Sequence, residues 1–154
     1  MLAWVKIFSQ NADKNVVDLK VSKMKKNILL VDDDRIFNLL NGKIIDRLGL
    51  AKSIQTATNG KEAIEMIKQK HDSDELPDII FLDLNMPVMD GFQFIEKFNT
   101  MKMPGVKKPM IIVLTSSADQ RDISRVKSLG VKHYLNKPMT AESIRSVLEE
   151  EEPA

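Results

Sequence analysis

The chain has 154 residues, of which 43% are hydrophobic and 29% charged, with a formal net charge of +1. That is the profile of one soluble globular domain with a core of its own, and its balance carries no electrostatic footprint for nucleic acid or an acidic substrate. With no Cys there is no disulfide framework, thiolate nucleophile or zinc–thiolate site. No apolar run approaches the roughly 20 residues of a membrane span, so the expectation is a cytoplasmic protein.

Residues 1–26 differ from the rest. A small apolar cluster (Trp4, Val5, Ile7, Phe8) precedes a polar, Lys-rich stretch. The segment reads as a loosely ordered N-terminal extension, or as sequence ahead of a start at Met24, with Lys25-Lys26-Asn27 following it. An amphipathic anchor is a third reading, ranked below both. Leu2-Ala3-Trp4-Val5 is broken by Lys6 and is too short for a secretory signal. The folded domain is expected over 27–150, with an acidic tail at 151–154.

Asn27-Ile28-Leu29-Leu30-Val31 predicts a buried strand, ended by Asp32-Asp33-Asp34. Ile36, Leu39, Leu40, Ile44 and Leu48 then follow helical spacing, and Gly49 closes that helix. A weaker strand is predicted at Ser53–Ala57. Asn59, with Glu62 three residues later, opens a helix through about Lys70, whose buried side is Ala63, Ile64 and Ile67. A polar loop from His71 to Pro77 leads into Asp78-Ile79-Ile80-Phe81-Leu82, an apolar run of the kind buried on both faces of a sheet.

That run ends at Asp83, and Pro87 and Gly91 stop any element from continuing through the loop. Phe94, Ile95 and Phe98 mark a third helix, starting near Gly91. Pro104-Gly105 lies in a loop, and Met110–Leu114 is a fourth buried strand, ending at Thr115. Ser117 with Gln120 predicts a capped fourth helix that ends at Gly130. Lys132–Leu135 is a short fifth strand, ended by Asn136-Lys137-Pro138. Thr140 caps a last helix with Ile144, Val147 and Leu148 inward. Glu149 to Glu152 place negative charge at the unfavourable end of the helix dipole, so this end is expected to fray.

The alternation is (βα)5. Short connections and right-handed crossovers make this an α/β fold, an open doubly wound parallel sheet of five strands with helices on both faces. All strand C-termini then lie along one edge, where such sheets bind ligands. In the flavodoxin-like order 2-1-3-4-5 the first and third strands are neighbours at the switch point, and the fourth and fifth follow. Asp32 and Asp33, Asp83, Thr115 and Lys137 therefore converge on one shallow pocket. Oxygen-only ligands with open positions suit Mg²⁺, which also bridges to phosphate. Three Asp, Mg²⁺ and Lys137 sum to zero formal charge. The assembly can accept a phosphoryl group, with Asp83 as nucleophile and the metal, Lys137 and Thr115 stabilising the transferring group.

Taken singly, each residue has a simpler account. Asp32, Asp33 and Asp34 favour a helix N-terminus, Asp83 is a turn former or cap, and Thr115 is a strand-end hydroxyl. Lys137 is a solvated loop charge, and Tyr134 is a half-buried edge-strand residue. The functional reading rests on their coincidence at the strand ends.

Val31-Asp32-Asp33, Leu82-Asp83-Leu84-Asn85-Met86-Pro87 with Asp90-Gly91, Leu114-Thr115-Ser116 and Tyr134-Leu135-Asn136-Lys137-Pro138 together resemble the receiver domain of bacterial two-component response regulators. The resemblance runs from about Asn27 to Leu148, and no matched position departs from the pattern. The 2-1-3-4-5 order is the known order of chemotaxis receivers, so it enters with the resemblance and is not a separate deduction. The resemblance implies that Asp83 is the phosphoacceptor. It further implies that Asp33, Asp83 and the backbone carbonyl of Asn85 coordinate Mg²⁺ directly, while Asp32 acts mostly through water. Thr115 and Lys137 would contact the phosphoryl group, Tyr134 would be the switch aromatic, and Lys137–Pro138 would be a cis peptide.

The expected function is that of a single-domain response regulator, a phosphoacceptor that assists its own phosphotransfer and dephosphorylation and is not otherwise an enzyme. It would take phosphoryl from a sensor histidine kinase, a phosphotransfer protein or a small phosphodonor. The residues after Pro138 leave room for one helix and a tail, whereas a further domain needs at least about 50 residues. Output is thus expected through contact with an unknown downstream protein or onward phosphorelay, with no DNA-binding domain and no membrane. One rival is a haloacid-dehalogenase-like phosphatase, whose chemistry uses Asp-x-Asp. Here the second position is Asn85, whose amide exchanges no proton near neutral pH. The other rival, a scaffold that is never phosphorylated, leaves the complete set of strand-end residues without a purpose.

Overall fold

The computed structural model describes residues 25–116 and 119–150. The expectations for residues 1–24, Ser117 and 151–154 lie outside the described residues. Among the described residues five strands, β1 (Lys26–Val31), β2 (Ala51–Ala57), β3 (Ile79–Asp83), β4 (Met110–Thr115) and β5 (His133–Asn136), alternate with five helices. The helices are α1 (Arg35–Arg47), α2 (Gly60–Lys70), α3 (Gly91–Thr100), α4 (Gln120–Ser128) and α5 (Ala141–Glu150). All strand pairs are parallel, in the order β2-β1-β3-β4-β5.

Because side chains alternate across a strand, the apolar runs split between two cores. Leu29, Val31, Ile80, Leu82, Ile111 and Val113 face α2, α3 and α4 through Ala63, Ile64, Ile67, Phe94, Ile95, Phe98 and Val126. Ile28, Leu30, Phe81, Ile112 and Leu114 face α1 and α5 through Ile45, Ile144 and Val147. Each fully buried side chain of this size contributes about 1.5–3 kcal/mol. Every residue of β3 is buried, so the strand that ends in Asp83 is the best-supported element of the sheet. β5 lies at the edge and is only partly covered.

The local signals act largely as expected. Asn59 caps α2 by accepting from the Glu62 N–H, while the Glu62 carboxylate accepts from the N–H and hydroxyl of Thr58. Thr140 and Ser143 bond reciprocally at the start of α5. At the start of α4 the cap is Asp119, whose carboxylate accepts from the Arg121 N–H.

The first helix needs a correction. Only the C-terminal part of its apolar stripe faces the core: Ile44 and Leu48 pack against it, whereas Ile36, Leu39 and Leu40 are 69%, 58% and 52% exposed, and Asn38 and Asn41 are buried beside Ile45. The cause is a polar anchor. The Asn38 side-chain N–H donates to the backbone oxygens of Asp32 (2.9 Å) and Ala57 (3.4 Å), the ends of β1 and β2. Buried carbonyls at strand ends need donors. Asn38 must therefore point inward, and this rotates Ile36, Leu39 and Leu40 to the surface.

Candidate functional site

The C-terminal edge gathers the expected residues. Val31 pairs with Leu82 across the sheet, which sets Asp32 beside Asp83. The Lys137 N–H donates to the Thr115 carbonyl at 2.8 Å, tying the end of β5 to the end of β4. The Lys137–Pro138 peptide is cis. Asp32, Asp83 and Thr115 are buried, at 2%, 6% and 6% exposure. Asp33 is exposed on the rim.

Lys137 is the hub. Its Nζ lies 2.7 Å from Asp32 Oδ2 and 3.3 Å from Asp83 Oδ1. The other Asp32 oxygen accepts from the Asp34 N–H at 2.9 Å, so both oxygens of Asp32 are engaged. Burial pushes the Asp83 carboxyl above its ordinary value; Lys137 opposes this and Asp32 adds to it. For Lys137, burial works against the charge, but the bond to Asp32 and the charges of Asp83 and Asp32 together outweigh it and hold the ammonium above its usual range.

One oxygen from each of Asp32, Asp33 and Asp83 lies within 4.8 Å of the others. Three carboxylates and one ammonium leave two uncompensated negative charges, which one divalent cation neutralises. An all-oxygen donor set suits a hard cation, so the cluster could hold one.

The loop after Asp83 is built tightly. The Gly91 N–H donates to the Leu84 carbonyl at 2.9 Å, and Asp90 and Gln93 form a capping box that starts α3. A Cβ on Gly91 would lie 2.6 Å from the Asp83 carbonyl oxygen and 2.7 Å from the Leu84 Cα. Only a glycine lets α3 start this close to the strand end. Val88 sits at φ 68 and is 77% exposed, a backbone state that β-branched residues rarely adopt. The Asn85 backbone N–H favours the ionised form of Asp83, so this loop also bears on the carboxylate.

Behind Thr115 a cleft is lined by Leu84, Val113, Ile123, Val126 and Tyr134. Tyr134 is 39% exposed, with Lys127 Nζ 5.5 Å from its ring centre. This agrees with the expectation of a half-buried residue on an edge strand. Two neighbours of the site were not legible in the sequence. Asn38 carries no signal beyond an amide on a helix read as apolar, and Phe37, whose ring lies 4.6 Å from Lys137 Nζ, carries none.

The sequence profile of the response regulator receiver domain matches residues 28–149. The chain is 32% identical over 126 residues to a probable chemotaxis protein CheY of Rhizobium etli, covering 81% of this chain and 91% of that protein. It is 33% identical over 137 residues to the two-component response regulator ARR22 of Arabidopsis thaliana, covering 88% and 90%. The fold is similar to the crystal structure of a two-component response regulator from Cytophaga hutchinsonii, with a TM-score of 0.72 and 33% identity over 80% of this chain and 93% of that one. Among the described residues no helix is long and apolar enough to cross a membrane. The profile match and the relatives spanned almost end to end agree with the strand-edge pocket: the chain belongs to the family of response regulator receiver domains.

Proposed function

We propose that the protein is a cytoplasmic single-domain response regulator that is phosphorylated on Asp83 with the help of Mg²⁺. The folded domain is read as 27–150, preceded by an extension and followed by an acidic tail. The observation that carries the reading is the buried Asp32–Lys137–Asp83 group with Asp33 on its rim. Asp33, Asp83 and the Asn85 carbonyl would hold the ion directly. Both Asp32 oxygens are already engaged, which supports its acting through water. When bound, Mg²⁺ supplies charge neutralisation and Lewis-acid polarisation of phosphoryl oxygens.

The residues of the chain do the rest. Asp83, once ionised, attacks phosphorus with a carboxylate oxygen. The bond to the donor (P–N in a phosphohistidine, P–O in an acyl phosphate) breaks, and its electron pair leaves with the imidazole or carboxylate. The product is an aspartyl phosphate. Lys137 is placed to follow the charge from the free carboxylate to the phosphoryl oxygens. Thr115 donates its hydroxyl to another of those oxygens, and Tyr134 moves toward the cleft behind it, changing the face built by α4, β5 and α5. The same pocket admits water for dephosphorylation. The phosphodonor is a sensor histidine kinase, a phosphotransfer protein or a small phosphodonor. A protein donor would approach across exposed Ile36, Leu39 and Leu40, on the helix that begins just beyond the aspartates. Output goes to a downstream protein or onward phosphorelay.

Incubation with acetyl phosphate and MgCl₂ followed by intact-mass measurement tests this. Wild type should gain one phosphoryl mass, EDTA should block it, and Asp83→Asn should gain none. Undiminished labelling of Asp83→Asn would sink the assignment. Turnover of a phosphate ester far beyond one equivalent would favour a phosphatase instead.

A further inference from the structure

Resting on that reading, we propose that Phe37 is a positioning residue for phosphotransfer, holding the Lys137 ammonium in place through the face of its ring. The ring centre lies 4.6 Å from Lys137 Nζ, inside the range where an aromatic face attracts a cation. The same Nζ meets Asp32 at 2.7 Å and Asp83 at 3.3 Å. Two sides of the ammonium are therefore held by carboxylates and a third by an aromatic ring.

A lysine needs this help. Its charge sits on a flexible four-carbon stem, and a cation that must meet a transferring phosphoryl group has to be held within about 0.5 Å. A polar side chain in place of the ring would occupy one of the three N–H donors. A ring attracts the charge and leaves the donors for oxygen. It also keeps water from that side, because Phe37 is itself half-buried.

The ring is fixed by the anchor that turned α1. Its own N–H donates to the Asp34 carboxylate at 3.2 Å. The next residue, Asn38, is tied to the backbone of Asp32 and Ala57. The strand end that carries Asp32 thus also sets the residue that faces Lys137. In the transfer step, the contact of Lys137 with Asp83 passes to the phosphoryl oxygens. The ring offers an attraction that does not depend on either carboxylate, so Nζ stays over the pocket during that exchange.

The test separates ring electrostatics from mere packing. The full chain would carry phenylalanine with zero to three ring fluorines at position 37, which weakens the quadrupole while nearly preserving shape. Phe37→Tyr and Phe37→Leu complete the set. The first readout needs no phosphodonor: ring current should move the Lys137 Hε resonances upfield in wild type, and Phe37→Leu should abolish this. The second is the initial rate of labelling by acetyl phosphate with MgCl₂. The logarithm of the rate should fall steadily with fluorination, by on the order of 2- to 30-fold in total. Phe37→Tyr should stay near wild type, and Phe37→Leu should be as slow as the trifluoro ring. A flat rate across the fluorinated set in an active chain, or the absence of the ring-current shift, overturns the role of Phe37 and leaves the functional reading intact. If wild type itself gains no phosphoryl mass while the ring-current shift is present, the functional reading fails and the proposal with it.

Discussion

Gly91→Ala should damage the site without touching any of its functional side chains. The added Cβ would lie 2.6 Å from the Asp83 carbonyl oxygen and 2.7 Å from the Leu84 Cα, both backbone atoms that cannot rotate away. Reaching about 3.3 Å, the short end of ordinary C···O contacts, requires about 0.7 Å of movement. The movement falls either on the end of β3 or on the start of α3. The former carries Asp83, and a site of this kind tolerates about 0.5 Å. Overpacking of this type costs about 1–3 kcal/mol, or a melting temperature lower by roughly 3–10 °C for a domain of this size. A displacement approaching 1 Å can slow a reaction about 100-fold, so labelling by acetyl phosphate should fall by roughly 10- to 100-fold. Gly42→Ala is the control. Its Cβ would meet only side chains, at 3.7 Å, inside α1, so it should be neutral or stabilising by up to about 1 kcal/mol. Thermal melts and labelling rates of both variants decide the matter. A Gly91→Ala protein with a lowered melting temperature but an unchanged rate would show that strain at the loop does not reach Asp83. Wild-type behaviour in both measurements would refute the steric argument altogether.

Other expectations follow from the charges. Burial raises the folded-state value of Asp83, so its ionised form costs stability; the cost is fully present above the raised value and vanishes as pH falls through it to below 3.8. In EDTA, Asp83→Asn should therefore be more stable than wild type near neutral pH, with the gap closing in acid; urea melts across pH check this, and a gap that widens in acid would contradict it. Lys137→Met leaves Asp32 and Asp83 buried without their cation, which should cost about 3–5 kcal/mol in EDTA. MgCl₂ should restore part of that loss, and equal stability of the two proteins in EDTA would refute the hub role of Lys137. Beryllofluoride, which mimics the phosphoryl group, should shift NMR signals of Thr115, Tyr134 and residues 119–131 in wild type. Thr115→Ala should confine the shifts to the pocket; distal shifts that survive this substitution would exclude Thr115 as the relay.

What the sequence determined by itself is the periodic part of the molecule. Short apolar runs such as Ile79–Leu82, bounded by turn residues, read as strands covered on both faces, and the runs of β1, β3 and β4 stop at residues that line the pocket. Asp83, Thr115 and Lys137 were therefore legible as strand-end residues before any contact was known, because a parallel sheet brings all its C-terminal ends to one edge. Helix starts at Asn59 and Thr140 were legible because a cap is a local event, a side chain answering its own backbone within three residues. The tertiary structure alone decided the orientation of α1. Its apolar spacing favoured Ile36, Leu39 and Leu40, yet the Asn38 amide is taken by the backbone carbonyls of Asp32 and Ala57 at the ends of β1 and β2, and a buried carbonyl left unpaired costs about 1–3 kcal/mol. Nothing local to residues 35–47 encodes that demand, since its carbonyls come from Asp32 and Ala57. The same holds for Gly91, whose missing Cβ answers to Asp83 and Leu84, and for Phe37, which meets a lysine 100 residues further along the chain. Such contacts depend on how elements pack, and packing is not periodic in the sequence.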